Sequence, residues 1–195
     1  MKNVKFSPWV GTKYATKGYN GKKILVLGES HYGGDYTKSD LTQAVLTHFL
    51  DYKRGTYPHH SSMKSPTTFA NVLIGKQVDN ATMIDFWESV VFYNFIQKVM
   101  PDIKIRPSKE DFKNSYSAFF EVLEEYKPDL IIAWGKGLWD NLPDNGIRKE
   151  NKNGKSFYFY KAGDREIPAY WVYHPASSAF GYKYTEDLQE AIKLA

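Results

Sequence analysis

Two stretches of this chain carry side chains able to do chemistry. One is Gly28-Glu29-Ser30-His31-Tyr32, followed by Gly33 and Gly34; the other is Tyr173-His174-Pro175-Ala176-Ser177-Ser178. Between them they hold a carboxylate, several hydroxyls and two imidazoles, the groups that serve as general acid, general base or hydrogen-bond donor to a developing anion. Each directly follows an apolar run, Ile24-Leu25-Val26-Leu27 in the first case and Trp171-Val172 in the second. A short apolar run bounded by turn residues reads as a strand buried on both faces. In α/β folds ligands collect outside the carboxyl ends of parallel strands, so neighbouring strands can bring both loops to one edge.

The elements between the two stretches fit such a sheet. Residues 1–21, with Phe6, Trp9 and Val10, read as an irregular N-terminal arm packed on the domain. Ser39 is placed to cap a helix through Tyr52 with Leu41, Val45, Phe49 and Leu50 on one side, and Gly55 ends it. Residues 53–65 read as a long exposed loop, after which Ser65-Pro66 opens a helix that turns Phe69, Val72 and Leu73 inward and stops at Gly75. Residues 82–100 predict a helix passing into a short strand near Val91–Phe95. Ser108 and Asp111 form a variant capping box for a helix that runs to Tyr126, and Pro128 breaks it. Leu130-Ile131-Ile132-Ala133 is a second buried strand, followed by Gly135 and a short helix over Leu138–Leu142. Residues 143–155 are turn-rich, and Ser156–Lys161 with Ala169–Tyr173 predict strands, with a hairpin-like excursion before the last core strand. Thr185 is placed to cap a closing helix that buries Leu188, Ala191 and Ile192. The whole of 1–195 reads as one α/β domain with a short, mainly parallel sheet.

Composition narrows the chemistry. There is no cysteine, which removes disulfides, thiolate zinc sites, cysteine-ligated iron–sulfur clusters and cysteine nucleophiles together. The net charge of +4 and sequence pI near 8.9 suit a polyanionic partner. The denser basic patches are Lys22-Lys23, Lys53-Arg54 and the group Arg148, Lys149, Lys152 and Lys155, the last a candidate for phosphate contacts. Aromatics make up 16% of the chain, with 15 tyrosines, a density that suits base stacking as well as an aromatic core. No apolar run approaches membrane-spanning length and the first residues lack an apolar leader core, so no membrane role and a cytoplasmic location are expected.

The ordered set of motifs resembles the uracil-DNA glycosylase superfamily. Gly28, Glu29, Ser30, His31 and Tyr32 stand at the successive places of that family's first motif, G-Q-D-P-Y, after the first core strand. Phe92-Tyr93-Asn94 is similar to the middle motif, Leu130–Leu142 (LIIAWGKGLWDNL) to the strand–WG–helix segment, and His174 to Ser178 to the closing motif. The resemblance implies a three-layer α/β/α sandwich and hydrolysis of the N-glycosidic bond of uracil or another damaged or modified base in DNA, single- or double-stranded. It implies roles residue by residue. His174 stabilises the departing base, Asn94 reads its edge with donor and acceptor, and Tyr32 walls a pocket floored by Gly28 and His31. Pro175, Ala176, Ser177 and Ser178 press into the minor groove. The place of the water-activating aspartate holds Ser30, leaving Glu29 to position water or to contact the base. The G-E branches often carry a four-cysteine iron–sulfur cluster, which this chain cannot bind; no cofactor and a monomer are expected.

Three rival readings stay open on the residues alone. A glycosylase-derived domain can bind nucleic acid without cutting it, a reading that Ser30 favours. A serine esterase would use Ser30 as nucleophile and His174 as base, although a nucleophile elbow wants glycine where Tyr32 stands. A metal site could draw on Glu29, His31, His59 and His60, but adjacent His59-His60 lacks helical i, i+4 pairing and reads better as a solvated loop.

Overall fold

A computed structural model describes residues 1–33, 38–144 and 156–195, together with the backbone of 147–150. Its centre is four parallel strands. β2 (Ile24–Gly28) pairs in parallel with β4 (Val91–Asn94) on one side and with β6 (Leu130–Trp134) on the other, and β6 pairs in parallel with β9 (Arg165–Val172). β1 (Trp9–Val10) adds antiparallel beyond β4, while β8 (Ser156–Ala162) and β7 (Ile147–Glu150) add antiparallel beyond β9, giving the order β1-β4-β2-β6-β9-β8-β7. A separate parallel pair joins β3 (His31–Tyr32) to β5 (Val99–Met100).

Strand alternation divides the core. Ile24 and Val26 face a cluster built with α1 (Leu41–Arg54), α2 (Lys64–Ile74), α3 (Asn80–Trp87) and α6 (Thr185–Leu194). Leu25 and Leu27 face the other, built with α4 (Lys109–Tyr126) and the short α5 (Lys136–Trp139). Every residue of β2 and β6 is buried, as a run of branched aliphatics covered on both faces requires. Each such side chain contributes about 1.5–3 kcal/mol through loss of apolar surface from water. Asp129 sets the register at the start of these strands. Its backbone N–H donates to the Lys23 carbonyl at 2.7 Å, and its carboxylate accepts the Lys23 N–H at 2.8 Å.

Several expectations hold in detail. Ser108 and Asp111 cap α4 reciprocally, Gly55 and Gly75 end α1 and α2 with left-handed backbone, and α3 passes into β4 as read. Others are corrected. Ser39 does not cap α1, whose cap position is Asp40 with no side-chain bond. The buried face of α1 is Thr42, Leu46, Phe49 and Leu50, and Val45 is 41% exposed. Part of residues 53–65 is regular: α1 runs to Arg54 and a 3-10 turn spans Ser61–Met63. Pro66 lies inside the first turn of α2 rather than at its first position. The hydroxyl of Thr185 caps nothing; it donates to the Val72 carbonyl at 2.7 Å and ties α6 to α2. The hairpin is not an excursion before the last core strand, because its second arm, β9, is that strand. The sheet is longer than expected and mixed, since antiparallel strands flank the parallel centre on both sides. Among the described residues no helix is long and apolar enough to cross a membrane.

The N-terminal arm is more ordered than an irregular lead-in. It supplies β1, and Gln97 fastens the residues before it. The Gln97 carboxamide oxygen accepts the N–H groups of Lys5 and Phe6 at 2.8 and 3.2 Å. Its nitrogen donates to the carbonyls of Asn94 and Phe95 at 3.0 and 3.3 Å. One buried amide thus joins the arm to the end of β4. Gln97→Leu should lower stability by about 3 kcal/mol, because buried backbone groups lose their partners, and should speed proteolysis before Trp9. Denaturant titration and limited proteolysis check both.

Candidate functional site

The parallel order brings the carboxyl ends of β4, β2, β6 and β9 to one edge, and both motif loops leave the sheet there, with β6 between their strands. Gly28 stands opposite Asn94 in the register. A Cβ on residue 28 would lie 2.2 Å from the Asn94 side-chain oxygen and 3.1 Å from the Phe92 ring, so the asparagine folds against the strand in space that the glycine leaves. The pairing continues past the strand ends, with Phe95 N–H donating to the Gly28 carbonyl at 2.9 Å and Ile96 N–H to that of Glu29 at 2.8 Å.

Asn94 meets His31 rather than open space. Its side-chain nitrogen lies 3.2 Å from each ring nitrogen of His31, and His31 Nε2 lies 2.9 Å from the Thr42 hydroxyl. A neutral ring that accepts from Asn94 at Nδ1 and donates from Nε2 to Thr42 satisfies all three groups. Phe6 closes the site edge-on, its ring centroid 5.4 Å from that of His31. Burial pushes the His31 pKa down to about 4.

Glu29 is buried and yet ionisable. Its Oε2 accepts from Arg106 Nη2 at 2.6 Å, and the Tyr32 hydroxyl points at Oε1 from 3.4 Å, at the long limit of a hydrogen bond. Burial raises its pKa above the ordinary carboxylate value, while Arg106 and then Tyr32 pull it back. Gly137, in α5, makes room for this pair. A Cβ there would lie 2.6 Å from Arg106 Nη2 and 3.5 Å from Glu29 Oε2.

His174 follows β9, its ring edge-on to Trp134 at 5.9 Å between centroids. Its Nδ1 accepts the backbone N–H of Ala176 at 3.1 Å. The neutral ring therefore carries its proton on Nε2 and offers a donor. His174 stays open to solvent on one side, but the protein crowding its other side lowers its pKa, and the Arg106 charge lowers it further. Pro175 is buried, Ala176 and Ser178 are exposed, and the Ser177 hydroxyl accepts the Ala179 N–H at 3.2 Å.

Ser30 stands apart from this network. Its hydroxyl is buried with no hydrogen-bond partner among the described residues; it does not pair with His174, and the dyad that an esterase needs is absent. His60 caps the 3-10 turn and the His59 ring packs against Tyr52; neither joins Glu29 or His31, and no metal-binding group of three or more His, Cys, Asp or Glu occurs among the described residues. Lys152 and Lys155 lie outside the described residues, as do Gly34 and the side chains of Arg148 and Lys149. Hollows of about 390 Å³ between α1 and α2 and about 170 Å³ beside Tyr14 contain no residue of this site. Sequence reasoning missed Arg106, Gly137 and Gln97. Arg106 sits in a loop with no motif around it, and only the fold brings it to Glu29.

His31 makes stability depend on pH. Its folded pKa lies below the unfolded value of 6.5, so unfolding takes up a proton between about pH 4 and 6.5. The contribution is complete above that window and is lost as pH falls through it, amounting to about 3 kcal/mol on these values. Denaturant midpoints measured from pH 7 to pH 4 should fall less steeply in His31→Gln. No protein-family model matches the sequence, and no curated protein matches it.

Proposed function

We propose that this chain is a uracil-DNA glycosylase-like enzyme, with that family's α/β/α sandwich, that hydrolyses the N-glycosidic bond of a base in DNA. One observation carries the reading: a buried carboxylate, Glu29, and a histidine with a fixed Nε2–H donor, His174, stand at the same edge of a parallel sheet. Cleavage leaves the electron pair of the C1′–N bond on the departing base and positive charge on the sugar. The His174 Nε2–H donates to a base oxygen and stabilises that anion. Glu29 faces the opposite charge. It accepts a proton as the oxygen of water bonds to C1′, which is the task that Ser30 cannot perform. Tyr32 borders the carboxylate and walls the pocket, while the small exposed side chains of Ala176 and Ser178 suit close approach to a minor groove.

Asn94 enters this reading with a changed part. Its nitrogen is engaged by His31, so its oxygen beside Gly28 is the atom left to meet a base, and it accepts from an N–H. A second reading, binding without cleavage, draws on the same engagement and on the partnerless Ser30 hydroxyl.

Base release should be measured on single- and double-stranded DNA containing uracil, hypoxanthine, xanthine or modified pyrimidines. Release of one of these bases is expected, lost at least 100-fold in His174→Ala and in Glu29→Gln with the fold intact. Tight DNA binding without release of any base would establish the second reading instead. Absence of both binding and release would overturn the proposal.

A further inference from the structure

We propose that Arg106 is the positioning residue of this site, a single guanidinium that orients Glu29 and governs the charge of both Glu29 and His174, with Gly137 as the residue that makes room for it. The inference takes its site from the reading above but does not depend on a substrate.

Geometry carries the argument. Arg106 reaches Glu29 from outside the sheet, through a loop between β5 and α4, and its Nη2 lies 2.6 Å from Oε2. The carboxylate is 9% exposed while the arginine side chain is 62% exposed, so the cation sits at the mouth of the site with the anion beneath it. No other ion pair to Glu29 occurs among the described residues. Without Arg106 the burial of Glu29 would act unopposed except for a long contact from Tyr32, and a buried carboxylate without a cation takes up a proton. Burial is the larger influence that disfavours the His174 imidazolium, and the Arg106 charge acts in the same direction. One charge therefore favours the ionised form of the carboxylate against its burial and adds to the burial that favours the neutral imidazole. Gly137 gives an independent handle. Its missing Cβ is filled by the guanidinium, whose tip is flexible and moves aside if the space is taken.

Two roles for Arg106 make opposite predictions. If it acts through its charge, removing it raises the pKa of Glu29, which loses a favourable partner, and raises that of His174, which loses a like charge. If it merely plugs the site, removing it admits water, which lowers the Glu29 pKa towards the ordinary value while still raising that of His174. The direction of Glu29 decides between them.

The test is NMR titration of the Glu29 carboxyl carbon and the His174 ring in the full chain, in wild type, Arg106→Gln, Arg106→Lys and Gly137→Ala. Both midpoints are expected to move up in Arg106→Gln, to return towards wild type in Arg106→Lys, and to move up by a smaller amount in Gly137→Ala. A Glu29 midpoint that falls or stays put in Arg106→Gln overturns the inference, as does a His174 midpoint that does not move. These readings need no turnover. A chain that releases no base from any DNA can still pass the test, and an active enzyme can still fail it. Should base release be found, its acid limb shifts to higher pH in Arg106→Gln in step with the Glu29 midpoint.

Discussion

Asn94 occupies the space that a side chain on residue 28 would need, and much of the site follows from that close approach. Because Gly28 yields the space, β2 and β4 stay paired to their last residues, and the ladder runs on through the carbonyls of Gly28 and Glu29. The backbone of Glu29 is thereby clamped to the chain that follows β4. Among the described residues, Arg106 and Tyr32 aim its carboxylate. The asparagine that takes the glycine's space also binds His31, so the first and middle motifs form one rigid unit. Gln97 then ties that unit to the N-terminal arm, whose Phe6 covers His31. A side chain at position 28 would press first on the Asn94 carboxamide and the Phe92 ring.

Electrostatics at this edge depend on which groups are buried with partners and which without. His31 is enclosed, neutral and hydrogen-bonded by neutral groups, and it serves packing rather than proton transfer. Glu29 is enclosed but shares its pocket with a cation, so it keeps access to its charge. His174 is only half enclosed and holds its proton on the nitrogen that faces away from its own loop. The Ser30 hydroxyl, enclosed, carries no charge and has no hydrogen-bond partner among the described residues. Four polar residues within or beside two short motifs thus end in four different states.

How legible this was in the sequence varied with the range of the interaction involved. The strands at Ile24 and Leu130 were readable because burial on both faces demands an unbroken aliphatic run, and the start of α4 because Ser108 and Asp111 cap each other locally. The placement of both motif loops at one sheet edge followed from their common position after parallel strands. The inward face of α1 was misread because Val45 is apolar and Thr42 is not, whereas the fold buries Thr42 to meet His31 and leaves Val45 in solvent. Arg106 was out of reach. Nothing near it in the chain marks it, and its partner lies 77 residues away. Asn94 was found, but its bond to a histidine of another motif was not, since the pairing exists only once β2 and β4 are in register.

The hydrogen bond that selects the His174 tautomer comes from the main chain of Ala176. Its donor is therefore indifferent to side-chain identity, and positions 176 to 178 are free to drift in sequence without altering the chemistry of the imidazole beside them. Proline is the exception at 176, because it has no N–H to give. A loop of this kind can change what it presses against while the histidine continues to present the same proton. Selection can thus act on recognition and on chemistry separately, although three residues of chain carry both.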